Sequence, residues 1–178
     1  MALAVAGTPA LPARAQTDSL GLAEATRWLT DSLPRAGSFT LHNLLNGQPT
    51  PQAMTRVLSD VHVDGCTVNW TVLTITGATG QDSTRILVTA MLHGVDPSLA
   101  TAIERDTVHT VAGVLKHVPT IWEISAPTRD NSAAERLENP RTTLKVNLPA
   151  LSLFVAARDD AWRTAAAIAA VTRACQSH

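Results

Sequence analysis

The chain has no excess of charge, no tyrosine, two cysteines and, beyond its first 15 residues, no long apolar run. Each shortage removes a class of function. Fourteen basic side chains against 15 acidic ones give a net charge of −1, which offers no electrostatic footprint for a nucleic-acid backbone. A helix that crosses a bilayer needs about 20 consecutive apolar residues. No such run follows Ala15, so the sequence predicts a soluble mature chain without a transmembrane segment. The lack of tyrosine accompanies a strong preference for arginine over lysine and abundant alanine, a signature of a GC-rich bacterial genome that carries no chemistry.

Catalytic signatures are missing as well. There is no HExxH, no pair of histidines one helical turn apart and no serine in a Gly-x-Ser-x-Gly elbow. Gly77-Ala78-Thr79-Gly80 lacks the lysine and the strand-to-helix setting of a phosphate loop and is expected to be a hairpin loop. His42, His93, His109 and His117 are scattered over different expected strands and loops. Nothing in the sequence requires a cofactor.

What is present suffices for one domain. A chain of 178 residues, 45% of them apolar, buries roughly 70% of its unfolded surface without a staple. Residues 1–15 are apolar and end in Ala13-Arg14-Ala15, the small-x-small pattern of a signal-peptidase site. They are expected to be the remnant of a secretory signal, with residues 16–178 as a single α+β domain.

Leu22, Ala25, Leu29 and Leu33 recur at helical spacing, with Gly21 as N-cap and Pro34 as stop, which predicts a helix over about Leu20–Leu33. Phe39–Leu44 alternates as a strand, broken by Asn46-Gly47, Pro49 and Pro51. Asp64-Gly65 lies between two alternating segments and predicts a two-residue hairpin turn pairing Val63 with Cys66. In that register Val61 faces Val68, Ser59 faces Trp70 and Val57 faces Val72, all toward the core. Arg85–Leu92 adds a third strand, and Asp96-Pro97 reads as the start of a short helix over Pro97–Glu104. Thr107–Leu115 and Ile121–Ala126 are strand-like, separated by His117-Val118-Pro119. Residues 127–140 are expected to be a polar loop or frayed helix. Thr143–Leu148 alternates, Pro149 interrupts, and Leu151–Val155 continues or begins a last strand. Asp159 is expected to cap a closing helix whose inward stripe is Ala161, Ala165, Ile168, Val171, Thr172 and Cys175. Trp28, Trp70 and Trp122 are expected in the core and Trp162 off the apolar stripe.

A helix, about seven strands and a closing helix give an antiparallel sheet that a helix must cover, because one sheet cannot hide its own apolar face. This order resembles the pleckstrin-homology-like superfold, a strongly bent seven-stranded sheet plugged by a C-terminal helix. The helix with Trp28-Leu29, the strand starting at Cys66 and the final Arg173-Ala174-Cys175 are similar to features of bacterial exported proteins with no assigned activity. The similarity runs over roughly Ser19–Gln176, with Val95-Asp96-Pro97-Ser98 fitting only approximately. It implies a fold and a periplasmic or secreted setting, and no activity.

Asp60, His62 and Asp64 alternate as metal ligands on one strand face would. The hairpin turn takes Asp64 away and leaves Asp60 and His62 beside Thr67 and Asn69, fewer than the three or four ligands of a zinc site. The sequence therefore favours a non-catalytic extracytoplasmic binding or structural domain, with an unknown envelope protein or small ligand as partner. Its rival is a hydrolytic or metal-dependent enzyme using Asp60 and His62 with a third residue from elsewhere in the fold. Cys66 and Cys175, both on inward faces, can form a disulfide in an oxidising compartment; two buried free thiols are the alternative. Such a bond closes a loop of about 110 residues, for which the chain-entropy account gives nearly 5 kcal/mol. Chain recovered from the periplasm is expected to gain about 2 Da on reduction, one hydrogen per sulfur, by intact mass; two alkylatable thiols before reduction would refute the bond.

Overall fold

The computed structural model describes residues 20–45, 48–76, 82–111, 114–129, 133–138 and 143–177. The expected signal remnant at 1–15 and the expected loop at Gly77–Gly80 lie outside these residues. Backbone pairing within them builds one antiparallel sheet of nine strands. They are β1 (Phe39–Leu45), β2 (Gln48–Asp64), β3 (Thr67–Thr76), β4 (Asp82–Met91), β5 (Thr101–Val111), β6 (Val114–Pro127), β7 (Ala133–Glu138), β8 (Thr143–Leu148) and β9 (Ala150–Val155). Their order is β5-β6-β1-β2-β3-β4-β7-β8, with β9 pairing the second half of β6. The α+β class and the closing helix agree with the sequence reading. The strand number is nine rather than seven, and the sheet is not strongly curled.

The first helix starts as α1 (Leu22–Arg27), widens into a π turn over Trp28–Ser32 and ends as α2 (Leu33–Ala36). Pro34 was expected to stop it and does not. A proline ring clashes with the carbonyl four residues back and has no N–H to give it. The wider π turn immediately before Pro34 changes the hydrogen-bond pattern there and lets the chain continue for two more residues. Ser38 then ties the helix to the sheet: its hydroxyl donates to the Pro34 carbonyl at 2.6 Å and accepts from the Leu58 N–H at 2.9 Å. At Gly37 a Cβ would stand 2.5 Å from Leu58 Cδ2, so any larger residue would have to push the Leu58 side chain aside.

The β2–β3 turn forms one residue later than expected, which shifts the strand pairing by two residues. The turn residues are Gly65 and Cys66, so Asp64 pairs with Thr67, Val63 with Val68 and His62 with Asn69. Gly65 has φ +54° and Cys66 does not have positive φ, the pattern that puts glycine first in a type II′ turn. A shift of two keeps Val61 and Val63 on the side of Val68 and Trp70. A bulge farther along then changes the face of β2. Asp60 and Val61 together face Trp70, and beyond them Ser59 pairs with Thr71 and Leu58 with Val72. Asp60 takes φ +54°, which aspartate tolerates better than most residues. Val61 and Leu58 are therefore both buried, and Val57, expected inside, is exposed. Val68, Trp70 and Val72 are buried as expected.

Other expectations change for related reasons. Pro49 and Pro51 do not break the chain but lie in the first residues of β2, where a missing donor is best tolerated. Asp96-Pro97 starts a turn instead of a helix: Asp96 Oδ1 accepts from the Ser98 N–H at 3.0 Å and the Ser98 hydroxyl at 2.7 Å. Thr101 onward then pairs with β6. His117-Val118-Pro119 lies within β6, and Pro119 and Thr120 fall in a register shift where no ladder donor is needed. Within the expected loop at 127–140, residues 133–138 form β7 and pair with β4.

The closing helix, α3 (Arg158–Gln176), begins after Ala157, and Asp159 lies in its first turn with Asp160 instead of capping it. Both carboxylates still face the positive end of the helix dipole. The whole expected stripe is buried or half-buried, and Thr164, Ala166, Ala167, Ala169 and Ala170 are buried too. The helix is enclosed because it packs against the first helix on one side and β5, β6 and β9 on another. Trp122 is half-buried rather than central, and Trp162, expected off the apolar stripe, is half-buried against the core. Trp70, 1% exposed, fills the space opposite the bulge. Trp70→Ala is expected to cost about 3–5 kcal/mol in a denaturant titration and Trp162→Ala clearly less; equal small losses would contradict this register.

Candidate functional site

The two proposed ligands do not form a shared alternating face. Asp60 sits in the bulge without a cross-strand partner and accepts a 2.9 Å hydrogen bond from the neighbouring Ser59 hydroxyl. His62 is exposed opposite Asn69, whose side-chain carbonyl accepts from Thr89 at 2.7 Å. Asp64 pairs with Thr67 at the strand end instead of occupying the turn itself. Among the described residues no group of three or more histidine, cysteine, aspartate or glutamate side chains is placed to hold a metal ion. His42 and His93 are exposed on separate elements; the side chains of His109 and His117 lie outside the described residues.

The described polar side chains converge most closely elsewhere, on adjacent strands β5, β6 and β9. Glu123, in β6, receives the Arg105 guanidinium of β5 through Nε at 2.7 Å and Nη2 at 2.6 Å, both on Oε2. Its other oxygen accepts the Ser152 hydroxyl of β9 at 2.5 Å. Both contacts are diagonal across the ladder, since the direct partners of Glu123 are Ile103 and Phe154. The Glu123 side chain is 16% exposed and that of Arg105 52%. With Arg105 on one oxygen and Ser152 on the other, the carboxylate stitches three strands together. Beside it, the Arg56 guanidinium lies over the Phe154 ring at 5.0 Å.

Sequence reasoning missed this cluster because β6 and β9 are far apart in the chain and nothing local shows that they pair. A second polar seam joins the helices. Trp28 Nε1 donates to the Thr164 hydroxyl at 3.0 Å, and Arg163 stacks on the Trp28 ring at 4.7 Å while pairing with Glu24 at 2.8 Å.

The two cysteines do meet. The sulfurs of Cys66 and Cys175 are at disulfide distance and their Cα atoms are 5.6 Å apart. On the sheet face opposite Val68, Trp70 and Val72 stand Val57, Leu73, Ile75 and Leu87, all half-buried or exposed, among threonine, asparagine and histidine side chains. No described helix is long and apolar enough to cross a membrane. Comparison with protein-family models, curated proteins and solved structures finds no match.

One carboxyl has a shifted titration. The Ser98 hydroxyl, then the Ser98 N–H, and less strongly the charge of Arg129, hold Asp96 below its ordinary 3.8. A depressed folded-state value means that this contact stabilises the fold above pH 3.8 and is lost as pH falls through the lowered value. Ser98→Ala is expected to raise the Asp96 midpoint toward 3.8 in an NMR titration; an unmoved midpoint would rule out the hydroxyl as the main cause.

Proposed function

We infer that the chain is a non-catalytic extracytoplasmic domain that binds a protein or small ligand of the cell envelope or serves a structural role there. The meeting of Cys66 and Cys175 carries the compartment: a pair 109 residues apart in sequence is brought to disulfide distance by the fold, and structural disulfides persist in oxidising surroundings. The exported setting also rests on the signal-like residues 1–15 and on the resemblance to bacterial exported proteins of pleckstrin-homology-like fold. The antiparallel sheet and closing C-terminal helix are shared with that superfold, whereas the nine strands and the lack of strong curl are not.

A binding role is supported by the mixed face of β2, β3 and β4, where Val57, Leu73, Ile75 and Leu87 lie among hydrogen-bonding side chains. Apolar groups set among polar ones are the usual make-up of a recognition surface. The most convergent polar cluster, Glu123 with Arg105 and Ser152, is satisfied by its own contacts and so serves the fold. Elemental analysis of mildly purified protein is expected to find no stoichiometric transition metal. About one zinc per chain, lost in His62→Ala, would overturn this reading in favour of a metal-dependent enzyme.

A further inference from the structure

Cys66 and Cys175 are held beside each other twice, once by their sulfurs and once through a third segment, the turn at Leu92–Gly94. On the sheet side, Asp64 and Met91 both pair with Thr67, and one residue further along the Leu92 N–H donates to the Cys66 carbonyl at 2.7 Å. This fixes the Cys66 backbone against the start of the turn. On the helix side, Gln176 Nε2 donates to the Val95 carbonyl at 2.8 Å and the His93 carbonyl at 3.3 Å. The residue after Cys175 is thereby fixed against the same turn. α3 is continuous through Gln176, the Ser177 hydroxyl donates to the Ala174 carbonyl at 2.8 Å, and Val171, one turn before Cys175, is 2% exposed in the core. None of these contacts uses the sulfur–sulfur bond.

We propose that the Cys66–Cys175 bond is added last: the folded dithiol chain, templated by the 92–95 turn, holds both thiols together, and a disulfide oxidant closes them intramolecularly without a change of fold. In the first exchange a thiolate of the chain attacks the oxidant's disulfide, forms a mixed disulfide and releases one oxidant thiolate. The second chain thiolate then attacks the chain sulfur of the mixed disulfide and displaces the other oxidant thiolate. Two electrons and two protons pass from the chain to the oxidant, which leaves as two thiols. Both cysteines are half-buried, so a small disulfide can reach them. In an unfolded chain two thiols 109 residues apart meet at an effective concentration below that of a short flexible linker, which is on the order of millimolar. The fold removes that search.

The test starts from protein reduced with dithiothreitol in urea, refolded by removing both, and mixed with oxidised glutathione, so that the outcome is independent of the compartment inferred above. Acid-quenched samples read by intact mass follow the mixed disulfide and the closed chain. The reduced chain is expected to show the near-ultraviolet dichroism of the oxidised one. Its mixed disulfide is expected to resolve about a hundredfold or more faster than that of the same chain in denaturing urea, and Gln176→Ala to keep the dichroism and close about threefold or more slowly. A reduced chain without native dichroism would show that the bond makes the fold and would overturn the proposal, as would a mixed disulfide that resolves no faster folded than unfolded. Closure of Gln176→Ala at the wild-type rate, or loss of its native dichroism, would overturn the part given to the 92–95 turn. Thiols that stay open in excess oxidant would overturn the bond itself.

Discussion

The enclosure of α3 is the constraint on which the other packing depends. A helix can be covered on nearly all sides only if its side chains are small or apolar, and Ala161, Ala165, Ala166, Ala167, Ala169 and Ala170 meet that condition. Small side chains let the first helix approach from one side and β5, β6 and β9 from another. Alanine contributes little burial of its own, so the larger groups around it carry the apolar area: Leu29 and Leu33 from the first helix, Ile124 from β6, and Leu151, Leu153 and Val155 from β9. The polar contacts on the seam, Trp28 with Thr164 and Arg163 with Glu24, fix how the two helices meet.

The second constraint is the bulge at Asp60 and Val61. It changes which residues of β2 face the core, from Val61 on one side of it to Leu58 on the other, and opens the room that Trp70 occupies. Leu58 is also the residue that Gly37 approaches and whose N–H Ser38 holds. The end of the first helix, the bulged strand and the core tryptophan are thus one connected arrangement, and the positive φ of Asp60 is part of what maintains it.

The functional consequence is a division of labour. Of Asp60 and His62, which look like a ligand pair in the sequence, the first sits in the bulge of β2 and the second in the regular ladder beyond it. The charged group with the closest partners, Glu123, is engaged by Arg105 and Ser152 in joining strands. The face that the proposed binding role rests on is the partly exposed one of β2, β3 and β4.

Local patterns made several elements legible in the sequence: the first helix from its leucine spacing, β1, β3, β8 and β9 from alternation, and α3 from its alanine-rich stripe. These depend on propensity and periodicity within a few residues. The meeting of the two cysteines was readable only in part: Cys175 lies on the patterned stripe of α3, but Cys66 stands in the hairpin turn and not on the inward strand face that the expected register gave it. Tertiary structure alone decided the rest. That Leu58 rather than Val57 faces the core depends on a bulge placed opposite a bulky tryptophan, a choice settled by packing. That Thr101 and Ala133 begin strands rather than a helix and a loop depends on β6 and β4 being there to pair with them. The joining of Arg105, Glu123 and Ser152 depends on β9 pairing with β6 across an intervening hairpin, because a contact between distant segments leaves no trace in either one alone.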